Sequence, residues 1–241
     1  MKDWDINIYR GVLTGYNEAF IIDGKKKDEL IALDPKSVEI IRPILRGRDI
    51  KRYGYYFADL WLINSHNGIK DKNVKPIKID DYPAIKRHLD EFFSELEKRA
   101  DKGDTPYNLR NCAYIEDFLM PKIIYPETTQ GASFAYDDSG LFVDKTGFML
   151  ISNTPRYLQA IMSSKLFEYA YKAFYTSVEL GANGYQYNKH ALLKLPIIIP
   201  NSELENKVNN CIEDENYNKL NNLVFELYQL NKSEIGFIES Q

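Results

Sequence analysis

The chain has 241 residues, of which 44% are hydrophobic, 27% charged and 13% aromatic, enough apolar material for one large domain or two small ones. Its net charge of −4 argues against a uniformly basic nucleic-acid binder, but residues 201–241 hold 8 acids and 3 bases, which leaves 28 bases against 27 acids in residues 1–200. Two cysteines (Cys112, Cys211) and three histidines (His66, His88, His190), with no metal-ligand spacing among them, exclude a disulfide scaffold and predict no metal site, as expected of a reduced, cytoplasmic protein.

Residues 6–24 alternate β-prone pieces with glycines: Ile8-Tyr9, Gly11, Gly15, Ala19-Phe-Ile-Ile22 and an Asp23-Gly24 turn signal. Asp34 and Pro35 read as the cap and first residue of a helix whose apolar face is Val38, Ile41 and Leu45, limited in length by Pro43. A basic cluster follows, then Tyr55-Tyr-Phe and Leu60-Trp-Leu-Ile63, which read as strands. Asp81-Tyr82-Pro83 predicts a helix to about Arg99, with Ile85, Leu89, Phe92, Phe93 and Leu96 on one side.

Strands are expected at Lys122–Tyr125, Ala132–Tyr136, Gly140–Val143 and Phe148–Ile151, and a second long helix from Thr154-Pro155 to Tyr175. A polar loop, Gly181–Lys189, precedes a proline-bounded strand at Leu195–Pro200. That run is far too short to span a membrane, and the N-terminus has no signal-peptide pattern. In the acidic tail Leu220, Leu223, Val224, Leu227 and Leu230 keep helical spacing.

Catalytic signatures are missing. The sequence has no Gly-rich phosphate loop, no Gly-x-Ser-x-Gly and no His-Glu-x-x-His. Acid-x-Lys pairs of the kind used by metal-dependent nucleases occur at Asp23-Gly-Lys25, Asp34-Pro-Lys36, Asp49-Ile-Lys51 and Glu205-Asn-Lys207, at a frequency that the charge content explains by chance. Asp80-Asp81 and Asp137-Asp138 read as a helix entrance and a turn.

Two stretches carry recognition chemistry. Arg46-Gly-Arg48-Asp-Ile-Lys51-Arg52-Tyr53 places four cations within seven residues; lysine and arginine neutralise phosphates, and arginine also reads guanine bidentately. A solvated loop with Asp49 pairing internally accounts for the same residues. Asn183-Gly-Tyr-Gln-Tyr-Asn-Lys-His190 offers several base-edge donors beside a permissive glycine, or is an ordinary polar loop.

Taken in order, these segments resemble a known family. Tyr9-Arg-Gly-Val-Leu-Thr-Gly-Tyr-Asn-Glu-Ala-Phe20, Ile40 through Tyr53, Tyr82–Leu89, Pro121–Glu127, Tyr157–Leu166, Gly184–Lys189 before Leu195-Pro196, and the Leu220–Leu230 tail with Glu234-Ile235 resemble the TaqI-like C-terminal specificity domain. That domain occurs in single-chain type IIG restriction-modification enzymes and adenine-specific DNA methyltransferases. Each motif is moderately specific; their ordered series over nearly the whole chain is the stronger signal.

The resemblance implies an α+β fold with mixed and antiparallel sheets, packed helices and a helical C-terminal end. Residues 1–200 are expected to form the target-recognition domain, and 201–241 an acidic helical segment packed on it. The S-adenosylmethionine site, any Mg²⁺ and the Asn/Asp-Pro-Pro-Tyr/Phe motif are expected only in other domains of a parent enzyme, this chain being an excised piece or a stand-alone specificity chain. The expected partners are double-stranded DNA and the methyltransferase or endonuclease module. Residue chemistry assigns Arg46, Arg48, Lys51 and Arg52 to phosphates or a guanine edge. Lys122 and the loop Tyr185, Gln186, Tyr187 and Lys189 are expected on the same face, with Asn183 and Gln186 as base-edge candidates. Two alternatives stay open: a nuclease domain using an acid–Lys pair, and a protein-interaction module docking through its tail helix.

Overall fold

The computed structural model describes residues 1, 4–176, 179–181 and 184–241. In chain order its strands are β1 (Asn7–Arg10), β2 (Ile21–Asp23), β3 (Ile41–Leu45), β4 (Ile50–Lys51), β5 (Gly54–Tyr55), β6 (Leu60–Ile63), β7 (Lys122–Pro126), β8 (Thr128–Thr129), β9 (Ala135–Asp137), β10 (Phe142–Val143), β11 (Gly147–Ile151), β12 (Glu179–Leu180) and β13 (Gly184–Gln186). Its helices are α1 (Asn17–Phe20), α2 (Gly24–Leu33), α3 (Pro83–Asp90), α4 (Phe93–Lys98), α5 (Pro155–Met162), α6 (Lys165–Ala170), α7 (Lys189–Leu192), α8 (Ser202–Glu213), α9 (Tyr217–Leu227) and α10 (Lys232–Glu239).

The antiparallel sheet β1-β11-β7-β9 runs through the middle of the molecule. Its side chains alternate between two cores, as the period of two along a strand dictates. Met149, Ile124 and Ala135 join the core built on the sheet β10-β3-β6-β2 with α1, α2, α3 and α4. Ile8, Leu150, Ile123 and Tyr125 join the other, shared with α5, α6 and the C-terminal helices. Both faces are therefore covered, and every residue of β7 is buried. The second sheet mixes one parallel pair, β10 with β3, with antiparallel pairs, and the α+β class expected from the sequence holds.

Several local expectations change. Asp34 does cap, accepting from Lys36 N at 3.2 Å, but only a 3-10 turn, Pro35–Glu39, follows. Ile41 and Leu45 lie in β3, because Pro43 breaks a helix yet fits a strand whose neighbour β10 pairs only with Ile44 and Leu45. Asp23-Gly24 is not a turn: Asp23 accepts from Lys26 N at 2.8 Å and caps α2, whose mostly polar sequence hides it from pattern reading. A Cβ on Gly24 would meet the Asp59 carboxylate at 2.0 Å, so any larger residue there has to displace that side chain.

The helix expected over 83–99 breaks at Glu91-Phe92, which turns Phe92 onto Tyr16 and His88 and leaves Phe93 exposed. The one over 155–175 breaks at Ser163-Ser164, where Ser164 re-caps α6 and Tyr171–Tyr175 closes as a π-helical turn. Leu195–Pro200 joins no sheet among the described residues and turns tightly at its start, with Ile197 N donating to Leu195 O at 3.0 Å. Side chains serve its carbonyls instead: Tyr228 Oη donates to Pro196 O at 2.8 Å, Trp4 Nε1 to Ile197 O at 3.3 Å and Tyr157 Oη to Ile198 O at 2.9 Å.

The acidic tail folds back as α8, α9 and α10 against α5 and α6. Val208, Cys211, Leu220 and Val224 are buried in the same core as Leu158 and Ile161. No helix among the described residues is long and apolar enough to cross a membrane.

Burial lowers the pKa of both His66 and His88 from the ordinary imidazole value of 6.5. His66 Nδ1 accepts from Gly68 N at 3.1 Å, which suits the neutral ring; the Ala19 O contact of His88 Nε2 at 2.9 Å works against the shift, and burial outweighs it. An unfolded chain takes up these protons below about pH 6.5 while the folded one resists, so acid favours unfolding. The urea midpoint is expected to hold above pH 7 and fall as the pH drops below about 6.5, less steeply in His88→Gln; a flat profile would contradict it.

Candidate nucleic-acid interface

The basic cluster folds as a 3-10 turn, Gly47–Asp49, leading into the β4–β5 hairpin. Arg46 closes this turn. Its Nε and Nη2 donate to the Asp49 carboxylate at 2.8 and 2.9 Å, and the same carboxylate accepts from Arg46 N at 3.0 Å. Burial acts to raise the Asp49 pKa, but these bonds outweigh it and hold the carboxyl below its ordinary value. The internal pairing of Asp49 thus leaves Arg46 structural, while the Arg48 side chain is exposed with no hydrogen-bond or ion-pair partner among the described residues. Lys51 is also exposed, donating to Arg48 O at 2.8 Å.

Tyr53 anchors the hairpin at a positive φ of 66°. Its ring stacks on Tyr217 at 4.0 Å between centroids, its N–H donates to Phe134 O at 3.1 Å, and burial pushes its pKa up to about 12. Tyr56, 69% exposed, is tied to the turn by its N–H, which donates to Asp49 O at 2.8 Å.

The turn Asp144–Gly147 links this hairpin to a second group of cations. Gly47 N donates to Thr146 Oγ1 at 2.8 Å, and a Cβ on Gly47 would meet Thr146 O at 2.5 Å, so the two turns sit back to back. On the far side Arg10 Nε donates to Lys145 O at 3.0 Å and Glu127 N to Thr146 O at 2.9 Å. The Glu127 carboxylate then receives Arg10 Nη2 at 2.9 Å and Gln186 Nε2 at 3.0 Å. The backbone of residues 144–147 thereby connects the turn that carries the exposed Arg48 and Lys51 to exposed Lys145 and Arg10 and, through Glu127, to Gln186.

Other expected site residues lie elsewhere. Lys122 is not on the surface: it is fully buried, its ammonium 2.5 Å from Asp137 Oδ2 and donating to Phe118 O at 2.5 Å, because β7 is covered on both faces. Tyr185 and Tyr187 are 2% and 4% exposed; their hydroxyls meet at 3.2 Å, and burial raises both pKa values, that of Tyr185 to about 12. Neither presents a ring to a base. Asn183 lies outside the described residues. Lys189 is exposed and donates to Ile8 O at 3.4 Å.

Arg52 turns away from Arg48, donating to Ala132 O at 3.3 Å and pairing with Glu168, which also holds Lys172 at 2.9 Å. These three residues, with Lys165, Tyr169 and Tyr185, line an open cleft of about 800 Å³.

Sequence reasoning missed Arg10, Glu127 and Lys145. The first two stood inside recognised motifs, but their joining depends on pairings 117 and 59 positions apart along the chain, which no local pattern reveals.

Comparison with known proteins agrees with this reading of the fold. The model of the TaqI-like C-terminal specificity domain matches residues 42–197. The Type II methyltransferase M.BstVI of Geobacillus stearothermophilus is 23% identical over 237 residues, 95% of this chain and 40% of the relative. Among solved structures, the Type IIL restriction-modification enzyme MmeI, determined in complex with DNA, superposes with a TM-score of 0.68 at 13% identity, covering 97% of this chain and 35% of that one. The type IIG restriction endonuclease BpuSI gives 0.56 at 14% identity, covering 93% of this chain and 31% of that one. The chain thus spans well under half the length of these relatives.

Proposed function

Because the chain belongs to the TaqI-like C-terminal specificity domain family, we propose that it is the DNA sequence-recognition module of a restriction-modification enzyme. It positions a methyltransferase or endonuclease module, carried elsewhere in a cytoplasmic parent enzyme, on a double-stranded target. S-adenosylmethionine and Mg²⁺ belong to those other parts, and this chain does no chemistry of its own.

The observation that carries this reading is the gathering of exposed cations around residues 144–147 in a chain whose total charge is negative. Arg48 and Lys51 suit phosphate contacts: both are exposed, and neither holds a carboxylate among the described residues. The acidic tail packs on the core shared with α5 and α6. The rival idea of a partner docking on the Leu220–Leu230 stripe loses its support, since Leu220 and Val224 are consumed by the chain's own core.

Each phosphate contact contributes about 0.9 to the slope of log affinity against log salt. Arg48→Ala with Lys51→Ala is expected to weaken binding to duplex DNA at low salt and lower that slope by about 2, with the unfolding midpoint unchanged. Unchanged affinity and slope would sink the assignment. Arg46→Ala is expected to act chiefly on stability, since it frees the buried Asp49 carboxylate.

A further inference from the structure

The Arg10 guanidinium combines two properties that rarely coincide. Its side chain is 54% exposed, yet three contacts fix it: Nε on Lys145 O, Nη2 on Glu127 Oε2, and Cζ over the Phe148 ring at 5.8 Å from the centroid. An exposed arginine loses side-chain entropy to be held this way, and a surface ion pair returns little stability. What the arrangement leaves is directional: Nη1 and the second Nη2 hydrogen have no partner among the described residues. A planar, pre-oriented pair of donors matches a two-acceptor edge.

Gln186 completes the pattern. Its Nε2 donates to Glu127 Oε1 while Arg10 takes Oε2, so one carboxylate holds both side chains next to each other. With Nε2 directed at a carboxylate, the side-chain Oε1 is left as an acceptor with no partner among the described residues. Two fixed donors beside one fixed acceptor are complementary to the major-groove edge of a G·C pair, which shows guanine O6 and N7 beside the cytosine N4 amine. A bare phosphate needs no acceptor and no fixed plane.

The geometry points to Arg10 and Gln186 as readers of a G·C base pair, with Glu127 as the positioning residue that holds both. This rests on the DNA-recognition reading above. Arg10 donates to guanine O6 and N7, Gln186 Oε1 accepts from cytosine N4, and Glu127 keeps the two from swinging apart.

The test is selection of duplexes from a random-core pool by the full chain, followed by affinity and salt-slope measurements on the enriched duplex. Arg10→Ala and Arg10→Lys are both expected to erase a guanine preference at one position, with about 10- to 100-fold weaker binding to the enriched duplex. Arg10→Lys keeps the charge, so its salt slope is expected to match wild type. Glu127→Gln is expected to blur the same position without touching others, a change that a purely structural role would not produce. If Arg10→Ala lowers the slope by about 0.9 and leaves the consensus intact, Arg10 is a phosphate contact and the inference falls. If the wild-type chain enriches nothing and Arg48→Ala with Lys51→Ala changes nothing, the DNA-recognition reading falls with it. Loss of slope in that double variant with an unaltered consensus in the Arg10 variants overturns this inference alone.

Discussion

Deleting residues 201–241 is expected to abolish cooperative folding. Although the tail differs from the rest of the chain in charge, its apolar stripes are part of the core. Val208, Leu220 and Val224 are fully buried and Cys211 nearly so, against Leu158, Ile161 and Phe167. Burying each Leu or Val contributes about 1.5–3 kcal/mol, so losing several together approaches the about 5–15 kcal/mol that holds a whole domain folded. Polar ties go as well. Asn221 Oδ1 accepts from Lys165 N at 2.9 Å at the start of α6, Tyr217 stacks on Tyr53, and Tyr228 holds Pro196 O. A chain ending at residue 200 is expected to aggregate or to lack a urea transition in circular dichroism; a transition with the full-length midpoint would show the tail to be an appendage. Leu220→Ala in the full chain isolates one contribution, at about 2–5 kcal/mol.

The elements legible in the sequence are those whose burial is set by local pattern. β7 and β11 announce themselves by apolar, β-branched runs between turn residues, and α9 by the three-and-four spacing from Leu220 to Leu227. Helix α2 was illegible because only Gly24 and Leu30 are fully buried, with Ile31 packed beside them, too few for a periodic signal. The break at Phe92 comes with a tertiary contact, a ring seated on Tyr16; that at Ser163 joins a tertiary bond, Ser163 Oγ onto Phe134 O, to a local one, Ser164 Oγ onto Ile161 O. At the site, composition identified Arg48, Lys51 and Gln186 by chemistry. It could not say which cations meet a buried carboxylate, so Arg46 and Lys122 looked as available as Arg48. The ordered resemblance supplied the family, because it sums over many weak local matches, whereas a side chain's partner is a single long-range fact.

Lys122 and Asp137 are the clearest instance, and separating them is expected to cost about 3–5 kcal/mol. They stand directly opposite each other in the β7–β9 register, both with side chains wholly shielded from water. Burial lowers the Lys122 pKa, and the Asp137 charge works against that shift. Asp137 also terminates its strand: Oδ1 accepts from Ser139 N at 3.1 Å and Oδ2 from Leu141 N at 3.0 Å. Lys122→Met retains the apolar stem and leaves the carboxylate its three donors from Ser139 and Leu141. Asp137→Ala strands the ammonium between the Phe118 and Met120 carbonyls and removes the acceptor of the Leu141 N–H, which costs about 1–3 kcal/mol when left unpaired in the interior. Urea unfolding is therefore expected to rank wild type above Lys122→Met and Lys122→Met above Asp137→Ala. At a temperature where Lys122→Met remains folded, its salt slope on duplex DNA is expected to equal that of wild type, since the ammonium never reaches a phosphate. A loss under about 1 kcal/mol together with a lower slope would return Lys122 to the DNA face.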